Sequence, residues 1–236
     1  MAMHEALAFE LAGQCDQLLR RVDSLKRYMI LVAKLVDDDR EKWYELSLEA
    51  RGSAVVGCCA ELEALTRVTL QRSHEEINAL QLEHRQAESC LRQLAAHSAF
   101  ESLRSLQDHS KLWERRAFTT TLDSSIERVK LPIVYKSAQP PLDGRTLRPE
   151  HFYRMWGIYG LGDAPFPQVT WATSLQKLAL MRNDIAHGNI PIAEVFKQAG
   201  SSEGDVERYV DDVGYFAMHF TAQWATFMQD EKYLRI

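Results

Sequence analysis

Eight apolar residues, Leu11, Cys15, Leu18, Val22, Leu25, Met29, Val32 and Val36, succeed one another at alternating steps of four and three. A strand would repeat every two residues, whereas this period keeps an apolar seam on one side of an α-helix. Residues 1–40 are therefore predicted to form one long helix with about three and a half heptads, ending at Asp37-Asp38-Asp39. Two uses of the seam stand open. It can be an arm that pairs with another chain as a coiled coil, or a bundle helix that buries the seam within its own chain.

Residues 41–236 continue in helical pattern. A second helix is expected from Glu41 to Arg72. Its Val55-Val56-Gly57-Cys58-Cys59-Ala60 stretch is apolar all round, which predicts deep burial. Glu61 and Glu63 prolong apolar rows of that helix. A carboxylate there is expected to need a cation, and Arg182 is the candidate. Further helices are expected over 74–130, with a break near Thr119-Thr120-Thr121. Segment 137–149, with Pro140-Pro141-Leu142-Asp143-Gly144, reads as a loop, and so does 160–168, with Gly160, Gly162, Pro165 and Pro167. Between them, Pro149 to Tyr159 is predicted to be a short helix. Its Phe152, Tyr153, Trp156 and Tyr159 sit at helical spacing, which favours core packing over base stacking. A last helix from Gly204 to Tyr233 carries Val206, Val210, Val213, Ala217, Phe220 and Trp224, and is expected to close the bundle.

The net charge of −5 leaves no overall basic field to advertise nucleic acid, so any RNA site must be local. The cysteines, Cys15, Cys58, Cys59 and Cys90, form no C-x-x-C pair, and His74, His84, His97 and His109 share no ligand spacing. Neither a metal nor a cofactor is expected. No apolar run approaches the roughly 18–20 residues that cross a membrane, and no secretory leader is legible. A cytoplasmic chain without a membrane partner is the expectation.

One hexapeptide gathers more chemistry than any other part of the chain: Arg182-Asn183-Asp184-Ile185-Ala186-His187, followed by Gly188. On a wheel of about 100° per residue, Trp171, Leu175, Leu178 and Ile185 fall on one stripe with Arg182 in its middle. An arginine there must be paired or meet an anion, because burying a bare cation is costly. His187 stands about 140° round the axis from Arg182, and Asn183, one turn before His187, shares its side. Arg182 and His187 therefore do not point the same way from one helix, and a second copy of the helix packed nearby would let them meet across a cleft, a first hint of a composite site between two protomers. Gly188 and Pro191 predict the helix end just after His187. A histidine suits proton transfer near neutral pH. On spacing alone, a structural salt bridge and a surface or capping histidine are the commoner outcome.

Arg182-Asn183-x-x-Ala186-His187-Gly188 resembles the Arg-x(4–6)-His signature of the HEPN superfamily (higher eukaryotes and prokaryotes nucleotide-binding domain). The closest flavour is the RiboL-PSP type, found beside prokaryotic RNA-repair and defence genes. A weaker match runs over residues 55–65, where Glu63 aligns with the polar position of the family's earlier apolar helix. The resemblance spans residues 45–230, with 75–145 little constrained. It implies an all-α, HEPN-like helical bundle with a long N-terminal helix, and a homodimer with a composite active site. It also implies a metal-independent endoribonuclease that leaves 2′,3′-cyclic phosphate and 5′-hydroxyl ends.

By the same resemblance Arg182, His187 and Asn183 are the catalytic residues, with Glu63 and Asp184 in support. Asp184, on another side of the helix, reads equally as a solvated acid. RNA is the implied substrate, and an antitoxin or another defence-system protein an implied partner. Some HEPN toxins carry a tyrosine two residues after the histidine, where a nucleotidyltransferase modifies them. Asn189 stands there, so that control is not implied. Two other readings stay open. One is a non-catalytic HEPN module that binds RNA or nucleotides, or is the regulated half of a two-component system. The other is a helical interaction protein whose heptad arm is the functional part.

Overall fold

The computed structural model describes residues 4–105, 111–112, 114, 116–117, 121–133, 140–188 and 190–235. His109, the expected break at Thr119-Thr120, residues 137–139 of the expected loop and Asn189 lie outside these residues. Among the described residues there are eight α-helices and no strand. They are α1 (Glu5–Asp38), α2 (Arg40–Ala79), α3 (Ser89–Ala95), α4 (His97–Ser105), α5 (Pro149–Tyr159), α6 (Val169–His187), α7 (Ile192–Ala199) and α8 (Glu203–Gln229).

A single residue turns α1 into α2. Asp39 leaves helical geometry at φ −151°, and its carboxylate accepts the Lys42 N–H at 3.2 Å, capping the new helix. The two helices then run back along each other. Arg21 meets Glu61 at 2.6 Å, Arg72 meets Glu10 at 2.9 Å, and His4 meets Glu76 at 2.7 Å. The heptad seam is buried at Leu11, Cys15, Leu18, Val22, Met29 and Val32, and Leu7 extends it. Leu25 and Val36 are half-buried. Its partners are α2 and α8 of the same chain, so the apolar seam is used inside the bundle.

Two expectations about the middle of the chain are corrected. The apolar run in α2 is not buried all round. Ala54, Val55 and Cys58 are fully buried, but Val56, Gly57 and Cys59 are half-buried and Ala60 is exposed. Here the helical period decides: one stripe continues through Leu62, Leu65, Leu70 and on past Arg72 to Ile77. Nor is 74–130 helical throughout. After Ala79 the backbone of 82–88 pairs sideways: His84 N–H to Glu127 O, Val129 N–H to Leu82 O and Glu88 N–H to Tyr233 O. Those bonds take the place of α-helical ones, so this stretch forms only a single 3-10 turn at His84–Gln86 and no α-helix.

The core is aromatic where α5 meets α8. Phe152 and Phe216 stand 4.6 Å apart edge to face, and Tyr159 and Trp224 are 4.5 Å apart. Of the four aromatics of α5, Phe152, Trp156 and Tyr159 are buried, while Tyr153 is 56% exposed. Val206, Val210, Val213, Ala217, Phe220 and Trp224 of α8 are all buried, and α8 packs on α1, α2 and α6. A buried histidine ties α2 to this layer. His74 Nδ1 lies 2.6 Å from Pro132 O, and Nε2 lies 2.7 Å from the Tyr159 hydroxyl. Burial pushes the His74 imidazole down to about 4, against the bond to Pro132 O, which raises it.

Two outcomes follow from this core. Trp224→Ala should destabilise the fold by about 3–5 kcal/mol in a denaturant titration, because a fully buried indole is lost. For His74, the unfolded chain binds a proton below pH ~6.5 while the fold resists it until about 4. Stability should therefore fall as pH drops through that window, by up to about 1.4 kcal/mol per pH unit from this group. His74→Gln should flatten that slope in thermal melts between pH 7 and 4.5.

Candidate functional site

The helix that carries the hexapeptide begins at Val169 and ends where the sequence places the end. Gly188 adopts φ +62°, the left-handed position that closes a helix, and its N–H bonds to the carbonyls of Asp184 and Ile185. One stripe of α6 is buried: Trp171, Leu175, Leu178 and Met181, with Ile185 half-buried against the core. Around it lie α2, α7 and α8. The other side of α6 faces solvent, with Leu180, Asp184 and His187 all exposed. Asp184 thus shares an open face with His187 rather than standing apart from it.

Arg182 sits on the inner side, half-buried. It lies close enough to Cys59 of α2 to affect that thiol. Burial and the nearby Glu63 carboxylate push Cys59 up to about 12, and Arg182 works in the opposite direction. Arg182 and Glu63 thus both bear on Cys59, but they do not form the expected ion pair. Glu63 instead reaches Arg67 one turn along α2 at 3.9 Å, and Glu61 takes Arg21 at 2.6 Å. Both carboxylates thus take cations of α1 and α2 rather than Arg182 of α6. One Glu63 oxygen, Oε1, is buried with no hydrogen-bond partner among the described residues. The guanidinium of Arg182 likewise has no hydrogen bond or ion pair among them.

Asn183 is held from outside the helix. The Thr146 hydroxyl donates to Asn183 Oδ1 at 2.8 Å, from the loop that precedes α5. Thr146 and Glu63 line the same cavity of about 10 Å³, together with Cys59, Leu147 and Leu178. Thr146 is a residue that sequence reasoning missed. It is 37 positions from Asn183, and nothing in Gly144-Arg145-Thr146-Leu147 marks where the loop docks. The proline and glycine signals around it identify a loop and no more.

A further cation lies near the exit of α6. A Cβ on Gly52 of α2 would meet the Ile192 side chain at 2.2 Å and Ile185 at 3.8 Å, so α2 passes close under the α6–α7 turn. Next to Gly52, Arg51 is buried, stacks 5.1 Å from the Phe196 ring centre and donates to Ser47 O at 3.3 Å.

The arrangement brings Arg182, Glu63, Asn183 and Thr146 to one junction of α2, α6 and the 140–148 loop. It leaves His187 and Asp184 on the open face beyond. Among the described residues, no group of three or more His, Cys, Asp or Glu is placed to hold a metal ion, and no helix is long and apolar enough to cross a membrane. No family model, curated protein or solved structure matches the chain.

Proposed function

We propose that the chain is a metal-independent endoribonuclease of the HEPN type, with its cleft formed where the Arg182–His187 segments of two copies meet. The observation that carries the reading is the state of Arg182. It is half-buried, and its guanidinium meets no anion among the described residues. Five residues later comes an exposed histidine at a helix end. A cation left without a counter-ion is suited to a phosphate, whose two free oxygens match the guanidinium fork.

RNA brings its own nucleophile in this reading. His187 takes the proton of the ribose 2′-hydroxyl, and the 2′-oxygen attacks the adjacent phosphorus. The bond from phosphorus to the 5′-oxygen breaks, and the proton that His187 has taken up passes to that oxygen. Arg182 holds the two non-bridging oxygens while negative charge builds on them. The products are a 2′,3′-cyclic phosphate and a 5′-hydroxyl end. Asn183 adds a neutral donor on the side of His187. Asp184 stands on the open face with His187, and Glu63 lies on the inner side near Cys59, unpaired with Arg182.

The net charge of −5 favours a second reading, a HEPN-like module that binds RNA or nucleotides without cutting. The two part on one assay. Purified protein incubated with mixed RNA in EDTA should cleave it and leave cyclic phosphate ends. His187→Ala should lose at least about a hundredfold of that rate with its fold and dimer intact. Retention of wild-type activity by His187→Ala would sink the nuclease reading. RNA binding without cleavage by wild type would select the module. In the proposed defence or toxin setting, wild-type expression slows growth and the His187→Ala protein does not.

A further inference from the structure

We propose that Thr146 is a positioning residue that fixes which end of the Asn183 amide faces the substrate; the role rests on the nuclease reading above. An asparagine side chain has an acceptor end and a donor end of nearly the same shape. Only the donor end can serve a phosphate. If the amide turns over, its oxygen confronts the anion and opposes binding. Something must therefore hold the carbonyl oxygen away from the phosphate, and the buried Thr146 hydroxyl does so by donating to Oδ1 at 2.8 Å, since a turned amide would leave its proton without an acceptor among the described residues. The two N–H groups of Asn183 are then left for a ligand on the side shared with His187.

The clamp is useful only if its own base is rigid, and the loop meets that requirement. Thr146 and its neighbour Leu147 are both buried. Behind them the buried His151 of α5 accepts the Arg148 N–H on Nδ1 at 3.1 Å. Its proton therefore sits on Nε2, which donates to Asp143 Oδ1 at 2.8 Å. The same Asp143 oxygen accepts the Arg145 N–H at 3.1 Å, and Arg154 donates to Pro141 O at 3.2 Å. Partial burial works against the Asp143 charge, but the bonds from His151 and Arg145 hold its carboxyl below the usual range. The loop on either side of Thr146 is thus tied to α5, and α5 is seated in the aromatic core. Through this chain of contacts the core sets the orientation of one amide on α6.

Steady-state cleavage by wild type, Thr146→Val, Thr146→Ser, Asn183→Ala and Asn183→Asp tests the role, with a thermal melt of each. Thr146→Val keeps the shape and removes the hydroxyl. Its kcat should fall about tenfold, with KM nearly unchanged and the melt close to wild type. Thr146→Ser keeps the hydroxyl and should recover most of the loss. Asn183→Asp keeps an acceptor for Thr146 but turns a charged oxygen to the phosphate, so it should fall below Asn183→Ala. Full activity in Thr146→Val overturns the proposal, as does a Thr146→Ser enzyme no better than Thr146→Val. If Thr146→Val melts too low to assay, an Asn183→Asp enzyme as active as wild type overturns it. Wild-type protein that does not cleave RNA overturns the nuclease reading and takes this role with it. Cleavage by wild type with a silent Thr146→Val removes Thr146 alone.

Discussion

Burial of one stripe of α6 decides where every chemical group of the Arg182–His187 segment points. Trp171, Leu175, Leu178 and Met181 lock the helix against α2 and α8, so its rotation about its own axis is set by apolar contacts upstream of the motif. Once that phase is set, the helical period leaves no choice. Arg182 goes inward toward Cys59, and His187 goes outward to solvent. The two groups thus leave the helix in different directions, which is the geometry the proposed two-copy cleft uses.

The rest of the bundle serves that constraint. The α1–α2 hairpin supplies the surface on which α6 rests, and α8 wedges behind it with a row of aromatics. α5 is pinned to the same row through Phe152 and Tyr159, and it carries the 140–148 loop across to Asn183. Two histidines far from the motif act as struts. His74 links α2 to Tyr159, and His4 links the start of α1 to Glu76 and Tyr233. Neither belongs to the candidate site, although a count of histidines alone would not separate them from His187.

Much of the fold was legible because helices announce themselves locally. The heptad seam of α1, the proline that opens α5, the glycine that ends α6 and the apolar row of α8 each sit within a few turns of sequence. The inward arginine and outward histidine were legible for the same reason. What was not legible depends on long-range pairing. Residues 82–88 give up helical bonds for partners at 125–129 and 233–235, and nothing nearby in sequence says so. Glu63 reached Arg67 rather than Arg182, because a residue four positions on is in reach whatever α6 does. Thr146 meets Asn183 only because a loop and a helix converge in space. Whether the seam of α1 served another chain was undetermined by its period, since the same heptads suit either use.

In the proposed cleft the arginine and the histidine come from different protomers. The direct measurement is RNA cleavage by a mixture of two inactive variants, Arg182→Ala and His187→Ala, unfolded and refolded together. Each mixed dimer would hold one intact arginine and one intact histidine on different chains. The expected result is that neither variant cleaves alone and the co-refolded mixture does. A mixture as inactive as its parents, from material shown to contain mixed dimers, would contradict the composite cleft.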